Sequence, residues 1–163
     1  MLTLFCQGFK PNDRAGTPTA IATCIAWHFG KESGHVTKQL GPNASMSDAA
    51  YKAILLAANY IHTHAPHSKA GGLVEIQSTD ANVAQDCLKS NTQDHQKHIE
   101  NLSTSLSNVL DTQPLLQINI GWLPAAKGST PLHRLKAIVA ETARQGPIQP
   151  PPPPTRAQLC NTA

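Results

Sequence analysis

Charged side chains make up only 14% of this 163-residue chain, against roughly 25% in an average soluble protein. Each residue able to do chemistry therefore stands out. Asp80 is a carboxylate at the point where an apolar, strand-like run hands over to a helical pattern. Asp48 closes a Ser45-Met46-Ser47-Asp48 sequence of capping-box form, in which a hydroxyl and a carboxylate satisfy free amides at a helix start. That role accounts for it without invoking chemistry. His62, His64 and His67 offer imidazoles that could hold Zn²⁺. Their alternating spacing around Pro66 does not place all of them on one helix face, so a solvated loop is expected. Cys6, Cys24, Cys87 and Cys160 show no CxxC spacing. The first three fall in apolar segments and read as buried, reduced thiols. The formal charge of +3 permits nucleic-acid binding, yet no Lys/Arg run argues for it.

These side chains must be positioned by a core of Leu, Ile, Val and Ala, because Phe, Trp and Tyr are scarce. Residues 2–9 alternate, with Leu2, Leu4 and Cys6 on one face, and predict a strand. Residues 11–18 form a turn. Residues 19–29 predict a second strand with Ile21, Thr23, Ile25 and Trp27 on one face. A hairpin signal at 30–34 leads to a polar third strand at 35–40, suited to a sheet edge. A helix follows from the capping box to about residue 62, burying Ala50, Ile54, Ala57, Ala58 and Ile61. Residues 73–78 predict a fourth strand, and the helix beyond Asp80 carries Val83, Ala84, Cys87 and Leu88. A long helix over 94–111 turns Ile99, Leu102, Leu106, Val109 and Leu110 inward. Residues 115–123 predict a fifth strand and 131–144 a last helix. The proline run at 150–154 suits polyproline II, as a spacer or as a ligand for an aromatic groove. The division is one domain over 1–146 and a proline-rich tail over 147–163. The class is α/β: a five-stranded mixed sheet, its first three strands antiparallel, flanked by helices. No span reaches the ~20 apolar residues of a membrane helix, and no secretory leader is evident. An intracellular protein of cytoplasm or nucleus, without membrane contact, is expected.

Five local sequences, in order, carry a resemblance. Phe5-Cys6-Gln7-Gly8-Phe9 resembles a first-strand Thr-Asp-Gly-Ser motif, and residues 20–27 resemble the Gly- and Ala-rich second strand. Ala49-Ala50-Tyr51-Lys52-Ala53-Ile54 resembles the helix written Ala-Glu-x-x-Ala-Ile. Ile76-Gln77-Ser78-Thr79-Asp80 resembles a fourth-strand end with its Asp. Gly121-Trp122-Leu123-Pro124 opens a stretch similar to Trp-Val-Pro-Gly-His-x-Gly. Over about residues 2–145 the chain resembles the ribonuclease H-like domains of fungal LINE-type retrotransposons. The resemblance implies the ribonuclease H-like fold and a site where four carboxylates hold two Mg²⁺ ions against a phosphodiester.

Carried over position by position, the resemblance places the first-strand Asp on Gln7, the helix Glu on Ala50 and the last-helix Asp on Lys136. Only Asp80 keeps its acid, and Ala126 stands for the motif's His. A lysine within ~4 Å of a dication would cost roughly 8 kcal/mol at an effective dielectric of about 20, so a two-metal site is not expected. Asp48 lies two residues before Ala50 and points elsewhere on the helix. Glu141 would have to reach back, and Asp13 would need a loop shift. The expectation is a pseudo-nuclease, catalytically degenerate, that serves as a binding or association module for nucleic acid or protein. For nucleic acid, including an RNA–DNA hybrid, Lys10, Arg14, Lys127, Arg134 and Lys136 are the candidate phosphate contacts. For protein, the low charge favours a partner or self-association as a homo-oligomer. The alternative is an active, Mg²⁺-dependent ribonuclease H acting on RNA–DNA hybrids through a rearranged site; otherwise no cofactor or metal is expected. Asp80 and Lys136 either form an ion pair or Lys136 extends to solvent. Trp122 is expected to pack in the core or at its rim. A chain opening almost on its first strand and ending in such a tail has the look of a piece of a former polyprotein.

Overall fold

The computed structural model describes residues 2–10, 20–28, 30–41, 43–64, 72–89, 96–123 and 130–145. Arg14, Asp13, His67, Ala126, Lys127, Cys160 and the proline tail lie outside them. Strand β1 (Leu2–Phe9) pairs antiparallel with β2 (Ile21–His28), which pairs antiparallel with β3 (Lys31–Gln39). Helix α1 (Met46–His64) leads to β4 (Gly72–Ser78), parallel to β1. Helices α2 (Ala81–Lys89) and α3 (Gln96–Thr112) precede β5 (Leu116–Trp122), parallel to β4, and α4 (Thr130–Gln145) follows. The sheet order is β3-β2-β1-β4-β5, with the polar β3 at one edge as expected.

Alternation along β1 and β2 divides the core in two. Leu4, Cys6, Ala22, Cys24 and Ala26 meet α1 and α3, joined by Ala50, Ile54, Ala57, Ala58 and Ile61. Phe5 and Ile25 turn the other way, onto Leu135 and Ile138 of α4, with Phe5 set edge-on to Trp27. Both faces of β2 are thus covered, which explains why it is mostly apolar rather than alternating. Gly8 fixes how closely α1 approaches. A Cβ there would collide with the backbone nitrogen of Ala50 and stand 2.6 Å from its Cα.

Local expectations are corrected at several places. β3 begins at Lys31 rather than residue 35, directly after Gly30, whose positive φ suits a glycine. Helix α1 continues through His64, whose ring stacks on Tyr60 at 4.4 Å, so His62 and His64 are helical and not in a loop. Leu110 of α3 faces solvent rather than the core. Cys6 and Cys24 are direct cross-strand partners, buried and free. Among the described residues no helix is long and apolar enough to cross a membrane.

Candidate functional site

The C-terminal ends of the parallel strands β1 and β4 lie side by side, with the amide of Thr79 donating to the Cys6 carbonyl at 3.0 Å. Each chain then leaves the sheet, and three helices converge over the gap. An open cleft of about 370 Å³ results, lined by Gln7, Gly8, Phe9, Met46, Thr79, Asp80, Ala81, Leu132 and Lys136. The sheet thus brings Gln7, Asp80 and Lys136 together from positions far apart in sequence. Ala50 is buried behind Gly8 at the back of this wall and does not line the cleft.

Asp80 is held by its neighbours. Its Oδ1 accepts from the Val83 amide at 3.0 Å, its carbonyl accepts from Ala84, and its own amide donates to Ser78 Oγ at 3.1 Å. The carboxylate is therefore the N-cap of α2, a role that an Asp immediately before a helical pattern could have announced. Of the two arrangements that the sequence left open for Asp80 and Lys136, the ion pair is not formed and the lysine extends to solvent. Both side chains line the cleft, but Lys136 is exposed and makes no salt bridge among the described residues, as charged ends that can keep their hydration gain little by pairing.

Gln7 stands directly opposite Thr23 on β2, which stands opposite Thr37 on β3. The side-chain oxygens Gln7 Oε1, Thr23 Oγ1 and Thr37 Oγ1 are all shielded from solvent without a hydrogen-bond partner. A row of unsatisfied polar atoms thus runs from the cleft under α4. Nothing in the periodicity signalled it, since a threonine fits a strand as a β-branched residue does.

The other basic candidates among the described residues, Lys10 and Arg134, are engaged elsewhere. Lys10 Nζ donates to the Ala44 carbonyl at 2.9 Å, tethering the entry to α1. Arg134 Nε donates to Glu32 Oε2 at 2.8 Å, joining α4 to β3, and this guanidinium holds the Glu32 carboxyl below its ordinary range. Burial, then nearby Lys38, pushes the Lys52 ammonium below its usual value. That juxtaposition of two cations across β3 and α1 was not visible in sequence. Asp48 completes the capping box with Ser45, at 2.8 and 3.0 Å, and also meets His98 Nε2 of α3 at 2.8 Å. The His98 ring stacks on Tyr51, whose hydroxyl donates to Asp86 of α2. Among the described residues no three His, Cys, Asp or Glu side chains are grouped so as to hold a metal ion.

Comparison with solved structures identifies what this arrangement is similar to. Ribonuclease H1 from the halophilic archaeon Halobacterium salinarum superposes with a TM-score of 0.62 at 14% identity, over 89% of this chain and 98% of that one. A ribonuclease H1 isolated from compost by a metagenomic approach gives 0.64 at 14% identity, over 88% and 96%. The fold is ribonuclease H-like. The foamy viral protease–reverse transcriptase in complex with an RNA/DNA hybrid matches at 0.56 and 14% identity, over 89% of this chain and 20% of that larger one. No protein-family model and no curated protein matches the chain. Gln7 on β1, Asp80 between β4 and α2, and Lys136 on α4 all line the one cleft.

Proposed function

We propose that this ribonuclease H-like domain is a catalytically degenerate binding module, and that nucleic acid is what it binds. The observation that carries the reading is the composition of the cleft. Among the described residues lining it, one carboxylate, Asp80, spends an oxygen capping α2, and it is accompanied by a neutral amide and a lysine. Two divalent cations ~4 Å apart require several anionic oxygens around them. Gln7, Asp80 and Lys136 do not fit such a pair, because a single shared carboxylate cannot offset both the dications' mutual repulsion and the ammonium beside them. The lysine instead suits a phosphate oxygen directly. The foamy viral relative's complex with a hybrid supports nucleic acid as the ligand class.

The test is a labelled RNA strand annealed to DNA, incubated with the protein in Mg²⁺ or Mn²⁺ and in EDTA. The expected result is intact RNA with a salt-sensitive complex that forms equally well in EDTA. Metal-dependent cleavage lost in Asp80→Asn would establish the active ribonuclease instead. The origin of such a chain in a retrotransposon, fungal or otherwise, rests on the sequence resemblance alone.

A further inference from the structure

The indole of Trp122 has no part in the fold's cores. It is the last residue of β5 and is 54% exposed, whereas Ile118 and Ile120 on the same face of that strand pack against the main core. Its register places it opposite Ser78, which is itself opposite Cys6. Trp122 therefore stands two strand spacings, roughly 10 Å, from β1 along the same end of the sheet on which the cleft opens. In the cleft, Met46 is also exposed and, with Phe9 and Leu132, provides apolar walls. Beside them is the Lys136 ammonium, which forms no ion pair among the described residues.

Resting on the reading of the domain as a non-cutting binder, we propose that this end of the sheet is a site for single-stranded nucleic acid, with Trp122 as a stacking platform. The cleft takes one unpaired base between its apolar walls, and Lys136 meets a phosphate. The neighbouring base lies on Trp122. One feature favours a single strand over a duplex. An exposed indole can stack only on a base whose face is open, and bases inside a duplex have none to offer. The sparse charge agrees, because stacking rather than a phosphate-tracking groove then carries the affinity.

The experiment measures anisotropy of labelled oligouridylate, labelled oligothymidylate and the hybrid formed by annealing the two strand types to their complements, all in EDTA. The full chain should bind the single strands more tightly than the hybrid, the two unpaired arms deciding between RNA and DNA. Trp122→Ala should lose roughly 5- to 150-fold in affinity, the range expected for one base–aromatic stack. Trp122→Phe should recover much of that loss, and circular dichroism confirms that each variant is folded. Lys136→Gln should reduce the salt slope of log K by about 0.7, one phosphate contact on a single strand. Hybrid binding equal to single-strand binding and unchanged in Trp122→Ala would overturn the single-strand site but leave the non-cutting binder intact. Binding of neither, with no cleavage, would overturn the site and direct the domain toward a protein partner. Metal-dependent cleavage in the preceding assay would remove the reading on which the site rests.

Discussion

Thr23 is fully buried, its hydroxyl has no partner, and it lies between Gln7 and Thr37 in the same cross-strand row. A buried hydroxyl without a hydrogen bond forfeits its hydration, at a cost on the order of 1–3 kcal/mol. Thr23→Val keeps the shape and removes that cost, so it should stabilise the fold by about 1 kcal/mol. The urea midpoint should rise at unchanged m-value. A loss of stability instead would reveal a partner for the hydroxyl, such as an ordered water continuing the cleft beneath α4. The thiols on the opposite face are quiet for a related reason. Burial, reinforced by Cys24, pushes the Cys6 thiol well above its usual range, and burial beside Asp86 pushes Cys87 up to about 11. Only the thiolate reacts quickly, so these two should resist alkylation at neutral pH in the folded chain and label rapidly in denaturant. Peptide mapping after iodoacetamide checks this, and prompt native labelling at Cys6 would contradict its placement. The inert thiols were readable from sequence, since each sat in an apolar run. The polar row was not, because it exists only once the register of β1, β2 and β3 is fixed.

Helix α1 packs along its length against the sheet and α3, and a cluster of polar ties gathers at its first turn. Ser45 accepts from the Asp48 amide, Asp48 accepts from the Ser45 amide, and His98 of α3 meets the same carboxylate. Ser45→Ala should cost about 1 kcal/mol, the usual value of an N-cap, measured as a shift in the denaturation midpoint. The Asp48 carboxyl is held below its ordinary range, first by the Ser45 amide and then by His98. A lowered folded-state pKa contributes stability that is present above the ordinary aspartate range, near ~3.9. That contribution is lost as pH falls through the folded value. Asp48→Asn should therefore flatten the acid limb of the stability profile below about pH 4. An unchanged acid limb would show that other carboxylates govern it. At this scale the sequence was informative about the middles of elements and poor about their ends and ties. Ala50, Ile54, Ala57, Ala58 and Ile61 followed one stripe, and all are buried. Residues 31–34 were missed as strand because they are polar, yet they pair with β2 at an edge that needs no apolar cover. The Glu32–Arg134 tie joins residues 102 apart, and no local pattern encodes such a contact.

Across the whole molecule, the fold and the chemistry separate. Alternating and helical periodicities specify the sheet and its helices, and similarity at 14% identity to ribonuclease H1 structures extends over nearly all of their length. The three cleft positions were legible only through motif order, and their convergence required the parallel pairing of β1 with β4 and the placement of α4 across the sheet. The choice between an Asp80–Lys136 pair and a solvent-facing lysine stayed open in the sequence, because it depends on where α4 and the end of β4 place the two side chains. If Gln7, Asp80 and Lys136 truly face one another, restoring acids should restore cation binding. In the double variant Gln7→Asp and Lys136→Asp, local charge changes by one unit at the first position and two at the second. Three carboxylates then share one cleft and repel, so the variant should be less stable than the wild type in EDTA. Mg²⁺ relieves the repulsion and binds only the folded form. At a hundredfold excess over its Kd, it should stabilise by about 2.7 kcal/mol. For a chain of this size, that is roughly 5–11 °C in Tm. The wild type, with one carboxylate and an ammonium in the cleft, should melt at the same temperature with and without Mg²⁺. Differential scanning calorimetry in EDTA and in Mg²⁺ measures both. A double variant indifferent to Mg²⁺ would mean that these side chains do not converge on one point, and a wild type stabilised by Mg²⁺ would contradict the reading of the cleft as a site that has given up its metals.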